Sequence, residues 1–231
     1  MIEAVVMAAG EGRRLLPLTD RWPKPVLPID GRPVVATLLR DLAAAGCPRA
    51  TVVVGHLAEQ VRGLAGDGSA FGLEVVYAEQ PVPEGSADAV RRAVAAGATP
   101  PFLVTAADTV FTRGDLGRFV AEARGAAGAL AVRRHPPPGV KRAAVRVESG
   151  RVIRVPDDDP DNASAAPLWF LGPRLTPFLE QTPGPPYELA AAYQAAIDDG
   201  LEVLGIEIGT TRDLTNPLDL VEENFPYLRS K

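Results

Sequence analysis

The opening segment, residues 2–29, reads IEAVVMAAGEGRRLLPLTDRWPKPVLPI and constrains this chain more than any other stretch. Residues 4–9 are a short apolar run with the length and Val content of a buried strand. The run passes directly into Gly10-Glu11-Gly12, where the backbone meets little steric resistance to a tight turn. Arg13 and Arg14 follow, and Lys24 lies between Pro23 and Pro25. Backbone N–H groups left free beyond a strand, flanked by guanidinium and ammonium groups, make a cradle for polyphosphate. Arginine offers a planar fork to phosphate oxygens, and lysine a compact point charge. The two prolines fix φ on either side of Lys24 and stiffen the segment that carries it. Taken alone, a G-x-G is also an ordinary turn, and the cations are ordinary surface charges.

Beyond this segment, strand and helix patterns alternate. Pro33 suits the first turn of a helix through Leu38, Leu39 and Leu42 that ends at Gly46. Residues 51–54 read as a strand, 56–64 as a helix and 73–78 as a strand, with Ser86 as the N-cap of a helix ending at Gly97. Residues 102–106 are another buried strand, followed by Asp108. Such alternation predicts a parallel sheet covered on both faces, with ligands at the carboxyl ends of the strands. The opening loop, residues 80–86 and Asp108 all fall at such ends. The second half reads as a helix at 116–123, a strand at 129–133 and a hairpin of 143–147 with 151–155 turned at Ser149-Gly150. An acidic loop at 156–162 follows, then an apolar strand at 168–171, a helix at 187–197, a strand at 203–208 and a closing helix at 217–224.

With 231 residues, 46% of them hydrophobic, the chain can bury a sizeable core in one domain. A net charge of −5 gives no general basic field for nucleic acid or anionic membrane, so any phosphate affinity must be local. The single cysteine, Cys47, excludes an internal disulfide and a Cys-based zinc site, and it is expected to pack at a helix end. With only His56 and His135, a His-based catalytic set is not expected. No stretch has the regions of a signal peptide, and no apolar run approaches the ~20 residues that span a bilayer, so a soluble, cytoplasmic protein is expected.

The string Gly10-x-Gly12-x-Arg14-x-x-Pro17-Leu18-Thr19, followed by Pro23-Lys24-Pro25, closely resembles the signature of the sugar-phosphate nucleotidyltransferases, also called nucleoside-diphosphate-sugar pyrophosphorylases. The resemblance, to the short single-domain members, implies a single-domain Rossmann-like three-layer α/β/α fold with a mixed, mostly parallel central sheet. Residues 1–115 would be the nucleotide-binding half and 116–231 the acceptor-binding half. It implies that Ala9, Gly10, Glu11 and Gly12 cradle the nucleotide, that Arg14 takes the β- and γ-phosphates, and that Lys24 lies near the α-phosphate and the acceptor phosphate. Arg13 stands where the family often has a small hydroxyl residue and is given no role. Asp108 resembles the family's metal-ligating aspartate, with Ala107 in place of the usual glycine; from the residues alone it is equally a turn cap before Thr109. Asp213 begins a segment similar to the family's closing D-x-x-x-P-x-D-L string and would be the second Mg²⁺ ligand. Glu207, in a Glu-Ile-Gly-Thr element, is its rival, while Asp219 is expected to cap the last helix. Residues 80–87, QPVPEGSA, resemble a base-recognition element, implying that Gln80, Gly85 and Ser86 bind the base, with a lean towards UTP or dTTP.

The resemblance thins in the acceptor half. The family's Glu-Lys-Pro is matched by Pro156-Asp157-Asp158-Asp159, and its Asn-Ala-Gly by Ala165-Ala166-Pro167. Residues 157–161 read as a solvated turn, and Lys141, Arg142 or Arg154 are candidates for the missing positive charge. Three readings follow. The first is a Mg²⁺-dependent enzyme joining a nucleoside triphosphate to a sugar 1-phosphate with release of pyrophosphate. The second keeps the chemistry but takes a phospho-alcohol such as phosphocholine or an inositol phosphate. The third is a non-catalytic nucleotide-binding regulator, against which Arg14, Lys24, Asp108 and Asp213 together speak. No exposed apolar helix marks an oligomer interface.

Overall fold

The computed structural model describes residues 1–134, 144–157, 163–225 and 227. His135, Lys141, Arg142, Ala143 and the loop from Asp158 to Asn162 lie outside the described residues. In chain order the strands are β1 Glu3–Ala8, β2 Pro28–Ile29, β3 Arg32–Pro33, β4 Arg49–Val54, β5 Glu74–Glu79, β6 Phe102–Ala106, β7 Thr109–Phe111, β8 Gly128–Arg133, β9 Ala144–Glu148, β10 Arg151–Asp157, β11 Ala163–Leu171, β12 Val203–Glu207 and β13 Thr211–Asp213. The helices are α1 Val34–Ala44, α2 Ala58–Ala65, α3 Ser86–Ala95, α4 Asp115–Ala123, α5 Thr176–Glu180, α6 Leu189–Asp198 and α7 Pro217–Asn224.

The main sheet runs β5-β4-β1-β6-β11-β8-β12-β10-β9. Helices cover both faces because each carries one apolar stripe. Val35, Leu38, Leu39 and Leu42 of α1 pack with Val61 of α2 and Phe119 of α4 on one face. Val90 of α3, Leu179 of α5 and Tyr193 of α6 fill the other. Cys47 sits in the first core just past α1, as expected, and burial pushes its thiol up to about 11. A third small cluster of Leu15, Leu27, Ile29, Val34 and Leu214 fastens the opening loop to the segment after β13.

The expected three-layer α/β architecture with a mixed sheet is present, but "mostly parallel" holds only for its first half. β5, β4, β1 and β6 are mutually parallel, whereas β11 runs antiparallel to both β6 and β8. Pairing of β9 with β11 closes β11-β8-β12-β10-β9 into a five-stranded ring. The physical reason is local. Ser149 and Gly150 have φ 49 and 78, a two-residue hairpin turn that forces β9 and β10 antiparallel. The β11–β8 register shifts between Ala165 and Trp169, a gap that holds Pro167, which has no N–H for the ladder.

Three local expectations change. Ser86 is the first residue of α3, whose N-cap is Gly85, and its hydroxyl instead accepts from Leu189 N at the start of α6, 2.8 Å away. Asp157 is not solvated: its side chain is 2% exposed and pairs with both Nε and Nη2 of Arg146 at 3.2 and 3.3 Å. Helix α7 exposes apolar Leu218 and Val221, which the sequence pattern had not singled out. Asp219 does close a capping box with Asn216. Among the described residues, no helix is long and apolar enough to cross a membrane.

Candidate active site

The site lies at the carboxyl ends of β1 and β6. Gly12 adopts φ +65, and a Cβ there would come within 2.9 Å of Thr19 Cγ2. Thr19 Oγ1 and Leu15 N both donate to Gly12 O, at 3.0 and 2.8 Å, and Leu15 is buried in the small cluster beneath. His56 braces the same loop, its Nε2–H donating to Thr19 O at 2.7 Å. With Leu15 as anchor, Arg13 and Arg14 are turned out to solvent.

The two arginines differ. Arg13 Nε pairs with Glu11 Oε2 at 2.5 Å, and that hydrogen bond holds the Glu11 carboxyl below its ordinary range. Arg14 has no ion pair among the described residues and lines the cavity with its charge available. Lys24, on a short helical turn behind Pro23, is 13% exposed at its side chain and pairs with Asp108 Oδ2. Together with Gly10, Gly12 and Thr215, these side chains line a cavity of about 330 Å³, in the range of small-ligand sites.

Asp213 ends the second strand of a separate two-stranded sheet, and the residues that follow it, Leu214 and Thr215, line the cavity. β13 pairs antiparallel with β7, setting Asp213 opposite Thr109, the residue after Asp108. Thr215 Oγ1 donates to Asp213 Oδ1 at 3.2 Å. Glu207 is placed elsewhere: β11 and β8 separate β12 from β6, and Glu207 Oε2 pairs with Arg134 Nε at 2.8 Å. Asp108 on the cavity wall and Asp213 at the register position of Thr109 are the two carboxylates that could hold a divalent cation preferring oxygen donors, its shell completed from phosphate and water. No cluster of three or more His, Cys, Asp or Glu side chains suited to a metal exists among the described residues.

The stretch from Gln80 to Ser86 is held inward. Gln80 is 4% exposed, and its Nε2 donates to Gly85 O at 3.1 Å and to Asp88 Oδ2 at 2.8 Å. Gly85, at φ +119, lies so close to Tyr187 that a Cβ would meet Tyr187 O at 2.3 Å. Ala9 backs the loop through its carbonyl, which accepts from His56 N at 3.3 Å. Sequence reasoning quoted Thr19 in the opening string without giving it a role, and it missed Thr215 and two arginines that hold β13. Arg133 Nη1 donates to Thr211 Oγ1, and Arg212 pairs with Asp30 and Glu223. The one available signal was the Asp30-Gly31 dipeptide, a hairpin turn in waiting.

Residues 3–140 match the model of the family described as nucleotidyl transferase. The chain is 28% identical over 236 residues to a glucose-1-phosphate thymidylyltransferase of Streptomyces antibioticus, covering 98% of this chain and 66% of that one. It therefore spans about two thirds of that relative's length. Over 82 residues it is 46% identical to the CMP-5'-(3-aminopropyl)phosphonate synthase of Streptomyces rubellomurinus, covering 36% of this chain and 13% of that one. Among solved structures, a putative glucose-1-phosphate thymidylyltransferase from Bacillus anthracis superposes with TM-score 0.85 at 17% identity, covering 100% of this chain and 96% of that one, a likeness of fold.

Proposed function

We propose that this chain, which belongs to the nucleotidyl transferase family, joins a nucleoside triphosphate, UTP or dTTP favoured, to a sugar 1-phosphate and releases pyrophosphate. The observation that carries the reading is the convergence of Arg14, Lys24 and Asp108 on one cavity beyond β1 and β6. The names of the relatives that act on glucose 1-phosphate support the substrate class.

An oxygen of the acceptor phosphate attacks the α-phosphorus in line. The bond from the α-phosphorus to the bridging oxygen breaks, and pyrophosphate leaves with that electron pair. The attacking oxygen is already anionic, so no general base is needed. What is needed is to hold mutually repelling anions together and to neutralise developing charge. Backbone N–H groups of Gly10 to Gly12 and the guanidinium of Arg14, which has no ion pair among the described residues, would take the β- and γ-phosphates. Lys24, released from Asp108, moves its charge to the α-phosphate. Asp108 and Asp213 would hold Mg²⁺, which supplies Lewis-acid neutralisation of the phosphate oxygens when bound.

A second acceptor class also has support. Asp158 and Ala165 stand where the resembling family has the lysine and asparagine that bind the sugar phosphate, Pro167 stands where it has a glycine, and one relative's name specifies a phosphonate product. The test is pyrophosphate release, with and without Mg²⁺, from the four ribonucleotides and dTTP crossed with sugar 1-phosphates, phospho-alcohols and phosphonates. Release with a sugar 1-phosphate, abolished in Asp108→Asn, supports the first reading. Release only with a phospho-alcohol or phosphonate moves the acceptor, and silence across the panel with nucleotide bound favours a regulator.

A further inference from the structure

Strand β13 is three residues long, and Asp213 is its last residue, directly before cavity-lining Leu214 and Thr215. So short a ladder cannot fix its own position, and the structure braces it from outside. Arg212 Nη1 and Nη2 grip both carboxylate oxygens of Asp30 at 2.5 and 2.9 Å, while its Nε pairs with Glu223 Oε2. These bonds hold the Asp30 carboxyl below its ordinary range. A lone exposed pair contributes little, but a bidentate fork shared between two carboxylates is a geometric constraint.

The partners of Arg212 are themselves fixed. Asp30 and Gly31, at φ 51 and 70, form the β2–β3 turn. Both of their N–H groups are taken by the end of α7: Asp30 N donates to Glu223 O at 3.3 Å, and Gly31 N to Asn224 Oδ1 at 2.8 Å. Asn224 Nδ2 donates back to Pro28 O at 2.8 Å. One guanidinium thus joins β13 to the turn and to α7, one residue before Asp213.

We propose that Arg212 is a positioning residue for the metal site: through Asp30 and Glu223 it sets the register and tilt of β13, and hence the place of Asp213 beside Asp108. This rests on the reading of Asp108 and Asp213 as metal ligands. Its side chain is directed away from Asp213, towards the turn and α7, so it acts through the backbone and not on substrate.

The experiment is Mn²⁺ binding by calorimetry and electron paramagnetic resonance to the full chain with a non-hydrolysable nucleoside triphosphate analogue. It is paired with the Mg²⁺ concentration giving half-maximal pyrophosphate release. For Arg212→Ala we expect both constants to rise about tenfold, the scale at which supporting groups tune a metal site. Nucleotide affinity without metal stays as in the unaltered chain, and Arg212→Lys recovers part of the loss. Asp30→Asn, which removes one arm at an exposed carboxylate, gives a smaller shift in the same direction and keeps the test open if Arg212→Ala does not fold. A lower melting temperature with unchanged Mn²⁺ affinity would make Arg212 a structural brace only and overturn the proposal. An unaltered chain that binds nucleotide but no Mn²⁺ overturns the underlying reading, which is a different result.

Discussion

Gly85 separates two explanations of one residue. As part of a base-recognition element it would be glycine so that a nucleotide can approach. The structure puts Tyr187 in that space. At φ +119 and ψ 169 the residue occupies a region essentially reserved for glycine, a strain of about 2 kcal/mol for any other residue. A Cβ would also lie 2.3 Å from Tyr187 O and 2.6 Å from Tyr187 N, both backbone atoms that cannot rotate away. Relief requires moving that segment, which breaks Ala87 N to Tyr187 O and Tyr187 N to Glu84 O, at 2.8 and 2.7 Å. At about 1 kcal/mol for each hydrogen bond, Gly85→Ala should destabilise the fold by about 4 kcal/mol, a fall of about 12 °C in Tm for a chain of this size. Gly97 is the control: it has φ +105 with nothing within 4 Å, so Gly97→Ala isolates the backbone strain and should cost about half as much. Denaturant unfolding measures both. A change below about 1 kcal/mol in Gly85→Ala, accompanied by weakened nucleotide binding, would refute the packing argument and return the glycine to the ligand.

Two further outcomes follow from the placement of carboxylates. Asp213→Asn should lower kcat about 100-fold at saturating substrate, whereas Glu207→Gln, at a half-exposed pair with Arg134, should stay within about twofold; the reverse ranking would transfer the ligand role to Glu207. Burial pushes the Asp41 carboxyl above its ordinary range despite Arg113, so the fold prefers its protonated form. The stability it contributes is present at low pH and is lost as pH rises through the raised value. Asp41→Asn should therefore raise Tm at pH 8 and leave it unchanged at pH 3, and a lower Tm at pH 8 would refute the assignment.

The nucleotide half was legible because its signals are local. A buried strand, a loop with glycine at φ +65 and a lysine between prolines occupy consecutive sequence, and β6 ends where its apolar run ends. The ring of five strands was not legible, because the β9–β11 pairing joins residues 144–145 to 163–164 across a loop whose length says nothing of closure. Asp157 was misread for a related reason. Three consecutive aspartates look like a solvated run, and only the β9–β10 register reveals Arg146 waiting for the first of them. β7 and β13, three residues each, are too short to leave a periodic pattern, so Asp213 was singled out by the resemblance of the segment it begins to the family's closing string and not through its strand.

Lys24 and Asp108 explain how such a site persists without its ligands. Both side chains are largely buried and of opposite charge, and each alone would be a desolvated ion. Paired, they satisfy each other; under the proposed function the same two groups would find other partners of opposite sign, phosphate for the ammonium and a cation for the carboxylate. Such an exchange would preserve charge balance at every stage, so binding would not have to overcome the loss of an uncompensated pair. Glu11 and Arg13 repeat the pattern at the exposed rim, whereas Arg14 lines the cavity with no ion pair among the described residues. Arg13, Arg14 and Lys24 of the opening segment therefore line one cavity with different partners, and those partners, set by the fold, more than the residue types, decide which charge is available there.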